Sequence, residues 1–341
     1  MNARVTLIIP CLNEEPFIGK LMEDVLRQDY PHDRMEVLVV DGMSTDHTRE
    51  ILSGYARKYP FVKLIDNPRQ YVPFALNLGV RQATGDLVLI LGAHSQYPPD
   101  YVSSLVKASG ELDADNVGGL CTGNPPDGRV KSLAIARLLS CPFGVGNAYF
   151  RTGSAGIRKV DTVTFGCYKR SVFDRIGLFD EELLRNQDDE FNGRLIRNKG
   201  TVYLVPGIVV TYFTRSRVSA LIRMFYQYGL FKPLVSRKLG RPATVRQLVP
   251  FLFVGYLILT GILGLFYPVF GYLLAGGVAA HLLTGLYFTI RIMKDTGRPA
   301  VILYLPWLFF AGHIAYGWGY LTGILRFIIL RQKIKRVKST R

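Results

Sequence analysis

Three consecutive carboxylates, Asp188, Asp189 and Glu190, sit in the middle of the stretch 185–195. Phe191, Leu195 and Leu184 follow or precede them at a spacing that lets one helical face meet a core. Acids suit the first turn of a helix, where free N–H groups and the dipole favour negative charge. The setting adds something more. The chain carries a formal net charge of +16, and three adjacent acids repel one another, which tends to raise the pKa of one of them. A carboxylate poised in that way is what a general base needs to take a proton from a hydroxyl.

A second set of polar residues stands at the ends of short apolar runs. Val5-Thr6-Leu7-Ile8-Ile9-Pro10 reads as a buried strand and is followed by Asn13, Glu14 and Glu15. A second strand over 35–40 ends at Asp41, Ser44 and Asp46, and a fourth over 87–91 ends at Gly92, Ala93 and His94. Between them lie helices over 14–28, over 48–58 with Thr45 or Asp46 as the cap, and over 73–83, with a third strand at 62–65. Strands alternating with helices give a mostly parallel α/β sheet, whose ligands bind at the carboxyl ends of the strands. Neither a G-x-G-x-x-G turn nor a phosphate-loop lysine is present. Acids at successive strand ends suit ribose hydroxyls, a base edge and a divalent cation.

Of the 341 residues, those over 1–215 have the mixed charges of a soluble domain, whereas 248–330 are almost wholly apolar. The basic residues gather at 215–246 and 331–341, beside that apolar region. This placement points to anionic lipid headgroups and not to nucleic acid. Cys11, Cys121, Cys141 and Cys167 have no paired spacing, so neither zinc nor a disulfide framework is expected. Free thiols, and an N-terminus that runs straight into a strand, place the soluble domain in the cytoplasm.

The runs IIPCLNEE, VVDGMSTDHT, NLGVRQATGD, Gly92-Ala93-His94 and NQDDEFNGRL resemble an inverting family 2 glycosyltransferase of GT-A fold. Residues 141–146, 161–167, 177–183 and 226–229 resemble the succinoglycan-type membrane glucosyltransferases within that family. The resemblance covers about residues 4–250 and implies roles by position. Pro10, Asn13, Glu14, Gly92 and Ala93 would border a UDP-sugar, Asp41 would hold its uracil or ribose edge, and Asp86 would be structural. Asp188 would be the catalytic base, Asp189 and Glu190 would shape the acceptor side or the pKa of Asp188, and Tyr226, Gln227 and Tyr228 would lie on the acceptor side. The family's metal motif is Asp-x-Asp, and the succinoglycan-like group has Asp-Ala-His. Here Gly92 replaces the first acid, leaving His94 to ligate Mn²⁺ or Mg²⁺ in a weakened site that favours Mn²⁺. Processive synthases carry Q-x-x-R-W where this chain has Tyr226-Gln227-Tyr228, without the Arg and Trp.

These readings give a GT-A catalytic domain over 1–215, a basic amphipathic interfacial segment over 216–247, transmembrane helices over 248–330 and a basic cytoplasmic tail over 331–341. The 43 uncharged residues from Leu248 to Ile290 allow two membrane spans that turn at Tyr267-Pro268. Three full crossings would put the basic tail outside, against the positive-inside rule. A returning segment over 301–330, broken near Gly312 or at Gly317-Trp318-Gly319, would resolve that conflict. His281 and His313 fall inside apolar segments and receive no role. The whole describes a multi-pass enzyme of the cytoplasmic membrane, its catalytic domain facing the cytoplasm. It would move a hexose, glucose above all, from a UDP-sugar to a lipid-linked saccharide in exopolysaccharide or cell-surface glycan synthesis. The alternatives are a polyprenyl-phosphate sugar synthase and a catalytically silent scaffold subunit.

Overall fold

The computed structural model describes residues 3–242 and 244–332. The chain forms two compact units, one of residues 1–122 and 153–212, the other of residues 123–152 and 213–341. Residues 123–152 therefore belong with the C-terminal part, although the sequence placed them in the catalytic domain.

The first unit is built on a nine-stranded sheet. Strands β1 (Val5–Cys11), β2 (Met35–Asp41), β3 (Val62–Asp66) and β4 (Leu87–Ile90) run parallel in the order β3-β2-β1-β4. Helices α1 (Glu15–Leu26), α2 (Thr48–Lys58) and α3 (Val72–Gln82) connect them, and α4 (Tyr101–Glu111) follows. The apolar runs are β-branched and flanked by turn residues, so they bury both faces of the sheet: Leu7, Ile8, Ile9, Leu38, Val39 and Val40 have no exposed surface. Beyond β4 the sheet turns antiparallel through β5 (Ser95–Gln96), β6 (Asn116–Asn124), β7 (Arg158–Lys159), β8 (Cys167–Lys169) and β9 (Val202–Phe213), in the order β8-β6-β9-β5 with β7 on β9. The mixed α/β sheet of a GT-A fold is thus present, parallel in the half that was legible from the sequence.

In the second unit, residues 123–152 form three short helices: α5 (Val130–Leu138), α6 (Pro142–Val145) and α7 (Tyr149–Thr152). Two further helices belong to the first unit: α8 (Ser171–Ile176) and α9 (Gln187–Arg197). The second unit continues with α10 (Val218–Leu239), α11 (Val249–Gly264), α12 (Pro268–Thr296) and α13 (Leu305–Gly323), which a π-helical turn over Ile324–Ile329 extends. The turn between α11 and α12 falls at Tyr267-Pro268, as expected. Three helical stretches, Val245–Gly264, Pro268–Thr296 and Pro299–Ile329, are long and apolar enough to cross a membrane.

Two expectations change here. The break near Gly312 or Gly317-Trp318-Gly319 is absent, since α13 runs unbroken through both positions. Its glycines serve packing: a Cβ at Gly319 would overlap the Tyr226 carbonyl on α10, and one at Gly323 would overlap the Leu230 carbonyl. Small residues let two helix backbones approach without opening either helix. The apolar side of 216–247, read as an interfacial face, is likewise occupied: Leu221, Met224 and Phe225 of α10 are buried in one cluster with Leu308, Phe309 and Tyr316 of α13. Of the expected basic tail, residues 333–341 lie outside the described residues.

Candidate active site

The loops after β1 and β2 are knitted together. Cys11 and Asp41 are register partners at the ends of the two strands. Asn13, at φ 54°, accepts from the Thr45 N–H at 2.8 Å, and its own N–H donates to Ser44 Oγ at 2.8 Å. The Glu14 N–H donates to Thr48 Oγ1 at 2.8 Å, and Asp46 accepts from the N–H groups of Thr48 (3.0 Å) and Glu15 (3.2 Å). Asp46 is therefore the side chain that closes the start of α2. Asp41 receives Ser44 N–H at 3.0 Å and Arg49 Nη1 at 2.6 Å, while Arg49 Nη2 reaches Asp66 at 2.8 Å. Asp41 has no exposed surface. It was expected to hold the uracil or ribose edge; instead its carboxylate is engaged inside the loop, where it positions Ser44 and Arg49. Burial, together with Asp41 and Glu14 nearby, raises the Cys11 pKa and keeps that thiol protonated. Pro10 closes β1 half-buried, beside these loops. Asp86 accepts from the Arg4 N–H at 2.9 Å, a structural bond at the entry of β4.

After β4 the chain turns at Gly92-Ala93-His94. The Gly92 N–H donates to Tyr97 Oη at 2.7 Å, and the Ser95 N–H closes the turn on the Gly92 carbonyl at 3.2 Å. Ala93 is buried. His94 Nδ1 lies 3.3 Å from Glu14 Oε1, and its ring meets the edges of Tyr212 at 5.0 Å and Phe17 at 6.5 Å. The missing side chain at 92 has a structural counterpart. A Cβ there would stand 2.5 Å from Cζ of Phe165, a residue held at φ 51° with its carbonyl bonded by Tyr101 Oη at 2.9 Å. A bulky residue in the left-handed region is uncommon and marks a locally determined position. The sequence marked Phe165 only as part of the stretch 161–167 and gave no sign that it faces Gly92.

The acidic triplet opens α9 as expected, with Asn186 in the left-handed cap at φ 60° and Leu184, Phe191 and Leu195 buried. Phe191 stacks on Phe179 at 4.3 Å and tilts against Phe173 at 5.2 Å; burying one such ring contributes about 2–3 kcal/mol. One turn after Asp188, the fully buried Asn192 accepts from Asn116 Nδ2 at 2.9 Å and Tyr168 Oη at 3.3 Å, and donates to Thr162 Oγ1 at 2.8 Å. Burial and then the charge of Asp188 raise the Tyr168 pKa. Glu190 leaves the acceptor role expected of it. Buried, it binds Arg194 through two bonds of 2.9 and 3.0 Å, and Arg194 also donates to the carbonyls of Ile176 and Leu178. The Glu-x-x-x-Arg spacing was the available signal for this clamp. Asp189 is half-exposed on the same turn. Tyr226, Gln227 and Tyr228 belong to the second unit, on α10, where Gln227 is buried and both tyrosines pack on the bundle core.

A divalent metal is implied at the turn after β4. Among the described residues no group of three or more His, Cys, Asp or Glu could hold one. The donors present, an imidazole and a neighbouring carboxylate, fit an ion that brings further oxygen ligands with it, and the nitrogen suits Mn²⁺ better than Mg²⁺.

A GT-A sheet, polar loops at its strand ends and an acidic helix start define a nucleotide-sugar transferase class. The family model "Glycosyl transferase family 2" matches residues 6–177, and the chain belongs to that family. It is 30% identical over 331 residues to a Methanococcus voltae protein, dolichyl N-acetyl-alpha-D-glucosaminyl phosphate 3-beta-D-2,3-diacetamido-2,3-dideoxy-beta-D-glucuronosyltransferase; the match covers 94% of this chain and 97% of that one. It is 28% identical to the succinoglycan biosynthesis protein ExoA of Rhizobium meliloti, over 72% of this chain and 73% of that one. A similar solved structure is a mannosyltransferase from Pyrobaculum calidifontis in complex with GDP-Man and Mn²⁺, with TM-score 0.58 and 20% identity over 93% of this chain and 88% of that one.

Proposed function

We propose that this glycosyltransferase moves a hexose, glucose first among the candidates, from a UDP-sugar to a lipid-linked saccharide with inversion at the anomeric carbon. The observation that carries the reading is Asp188 in the first turn of α9, one turn ahead of the buried hydrogen-bond network that anchors the helix through Asn192. A general base must be fixed to within a fraction of an ångström, and an ordered shell behind it supplies that. Asp188 takes the proton from an acceptor hydroxyl as its oxygen attacks the anomeric carbon. The bond from that carbon to the diphosphate oxygen breaks, and the nucleoside diphosphate leaves. A single in-line displacement inverts the configuration. A divalent ion at His94, when bound, neutralises charge on the leaving diphosphate.

The loops carrying Asn13, Glu14 and Ser44, together with the turn at Gly92–His94, hold the donor at the strand ends, and Asp189 faces the acceptor side. The lipid link of the acceptor is supported by the M. voltae relative, whose name gives a dolichyl-phosphate-linked sugar as its substrate, and by three helical stretches long enough to span a bilayer. The cytoplasmic membrane, with the catalytic unit on the cytoplasmic side and anionic lipid around the basic residues, completes the reading. The test offers the detergent-solubilised protein a panel of UDP- and GDP-sugars with extracted lipid-linked saccharides, then analyses the product by mass and by anomeric NMR. A β-linked product from an α-linked donor is expected. A product of retained configuration overturns the inverting mechanism, and transfer from a GDP-sugar alone overturns the UDP assignment.

A further inference from the structure

We propose that Glu14 supplies in space the carboxylate that the chain lacks at position 92, so that Glu14 and His94 form a two-ligand seat for a divalent cation entering with the donor diphosphate. The proposal rests on the nucleotide-sugar reading above and adds an assignment to it.

Glu14 Oε1 and His94 Nδ1 are 3.3 Å apart. Two neighbouring ligands of one ion, each roughly 2.0–2.3 Å from it, stand about 3 to 3.5 Å apart. The pair therefore has the separation that a shared ion requires without either side chain moving far. The backbone of Glu14 and the ring of His94 are both anchored. The Glu14 N–H is bonded to Thr48, and its carbonyl accepts the first helical bonds of α1 from Phe17 and Ile18, each at 2.9 Å. Its side chain is 9% exposed and that of His94 21%, the latter between the edges of Phe17 and Tyr212. Both retain some exposed surface, in contrast to Asp41, which has none. An ion held through Nδ1 would need the ring hydrogen on Nε2, and it would stand between Nδ1 and the Glu14 carboxylate.

Position 92 cannot provide the acid in this fold. Phe165 fills the space a side chain would need, and its backbone is held by Tyr101 and by the left-handed conformation. Gly92 and Phe165 thus form one complementary pair. The carboxylate beside His94 comes from the loop after β1, 78 residues before position 92 in the chain.

The experiment measures Mn²⁺ bound to the full chain in detergent, from the loss of the free-ion EPR signal, with and without UDP or GDP. Nucleotide binding in EDTA and thermal melting are followed in parallel. Wild type is expected to take up one Mn²⁺ per chain in the presence of nucleotide. Glu14→Gln and His94→Ala are each expected to weaken that uptake by roughly tenfold or more, the scale of losing an interaction that tunes a metal site, and by more than they weaken nucleotide binding in EDTA, with melting unchanged. Gly92→Asp should not rescue Glu14→Gln, whereas Gly92→Asp combined with Phe165→Ala should. Unchanged Mn²⁺ uptake in Glu14→Gln, with His94→Ala weakened, removes Glu14 from the site. Absence of any nucleotide binding by wild type removes the functional reading, and the seat with it. If Glu14→Gln melts early, Glu14→Asp provides the same comparison with the charge kept.

Discussion

The two units of the chain divide charge and packing in opposite ways. The first holds 24 of the 26 acidic residues and 20 of the 42 basic ones; the second holds 2 and 22. Their net charges are therefore −4 and +20. In the first unit, polar groups are bonded to one another at defined distances: Asn116, Asn192, Thr162 and Tyr168 form one network, Asp41, Ser44, Arg49 and Asp66 another. In the second, helices meet through glycine and aromatic contacts, and long apolar side chains such as Leu265, Phe266 and Tyr272 are exposed. Chemistry needs groups held by other groups, and that is found around the sheet. A large unmatched positive charge beside exposed apolar helices needs an outside counter-charge, the role proposed above for anionic lipid headgroups.

The largest effect that would break this contrast is expected in the second unit. Gly319→Leu would force α10 and α13 apart, because the Tyr226 carbonyl lies where the new side chain begins. Overpacking of this kind costs about 3 kcal/mol or more, seen as loss of folded protein in detergent. In the first unit, Asn192→Leu would leave Asn116, Thr162 and Tyr168 without their shared partner, at about 2–4 kcal/mol in denaturant unfolding. Turnover should fall beyond what stability explains, because Asp188 stands one turn away. A smaller effect concerns lipid. The purified protein should retain anionic phospholipid, counted by native mass spectrometry, and replacing Arg217 by Gln should reduce it, at about 1 kcal/mol per surface cation.

The smallest effect expected is at Asp46. Burial acts to raise its pKa, but the hydroxyl and N–H of Thr48 and the Glu15 N–H outweigh burial and lower it. A carboxylate lowered on folding adds stability above its unfolded pKa, about 3.9, and that stability disappears as pH falls through the lower folded value. Asp46→Asn should therefore be slightly less stable than wild type near neutrality, because it loses the charge that those bonds favour. The difference from wild type should close in acid melts.

Much of the first unit was legible because its signals are local. Buried β-branched runs with turn residues after them gave β1 to β4, and Leu184, Phe191 and Leu195 gave the inner face of α9. What the sequence did not show depends on residues far apart in the chain. Phe165 lies 73 residues beyond the glycine whose missing side chain it replaces, and Glu14 meets His94 from 80 residues away. Asn192 looks like a polar interruption between Phe191 and Leu195 until Asn116 and Thr162 are seen bonded to it. In the antiparallel half of the sheet β5, β7 and β8 have only two or three residues, too short for a periodic signal. The glycines of α13 were read as breaks because composition cannot tell a hinge from a close helix contact.

The central claim is that Asp188, braced at the start of α9, is the base. Release of UDP from UDP-glucose by membranes holding wild type or Asp188→Asn, with lipid-linked acceptor and Mn²⁺ present, tests it most directly. The account predicts release by wild type that falls by roughly two orders of magnitude or more in Asp188→Asn, with equal melting temperatures. Equal acceptor-dependent release by both would contradict it.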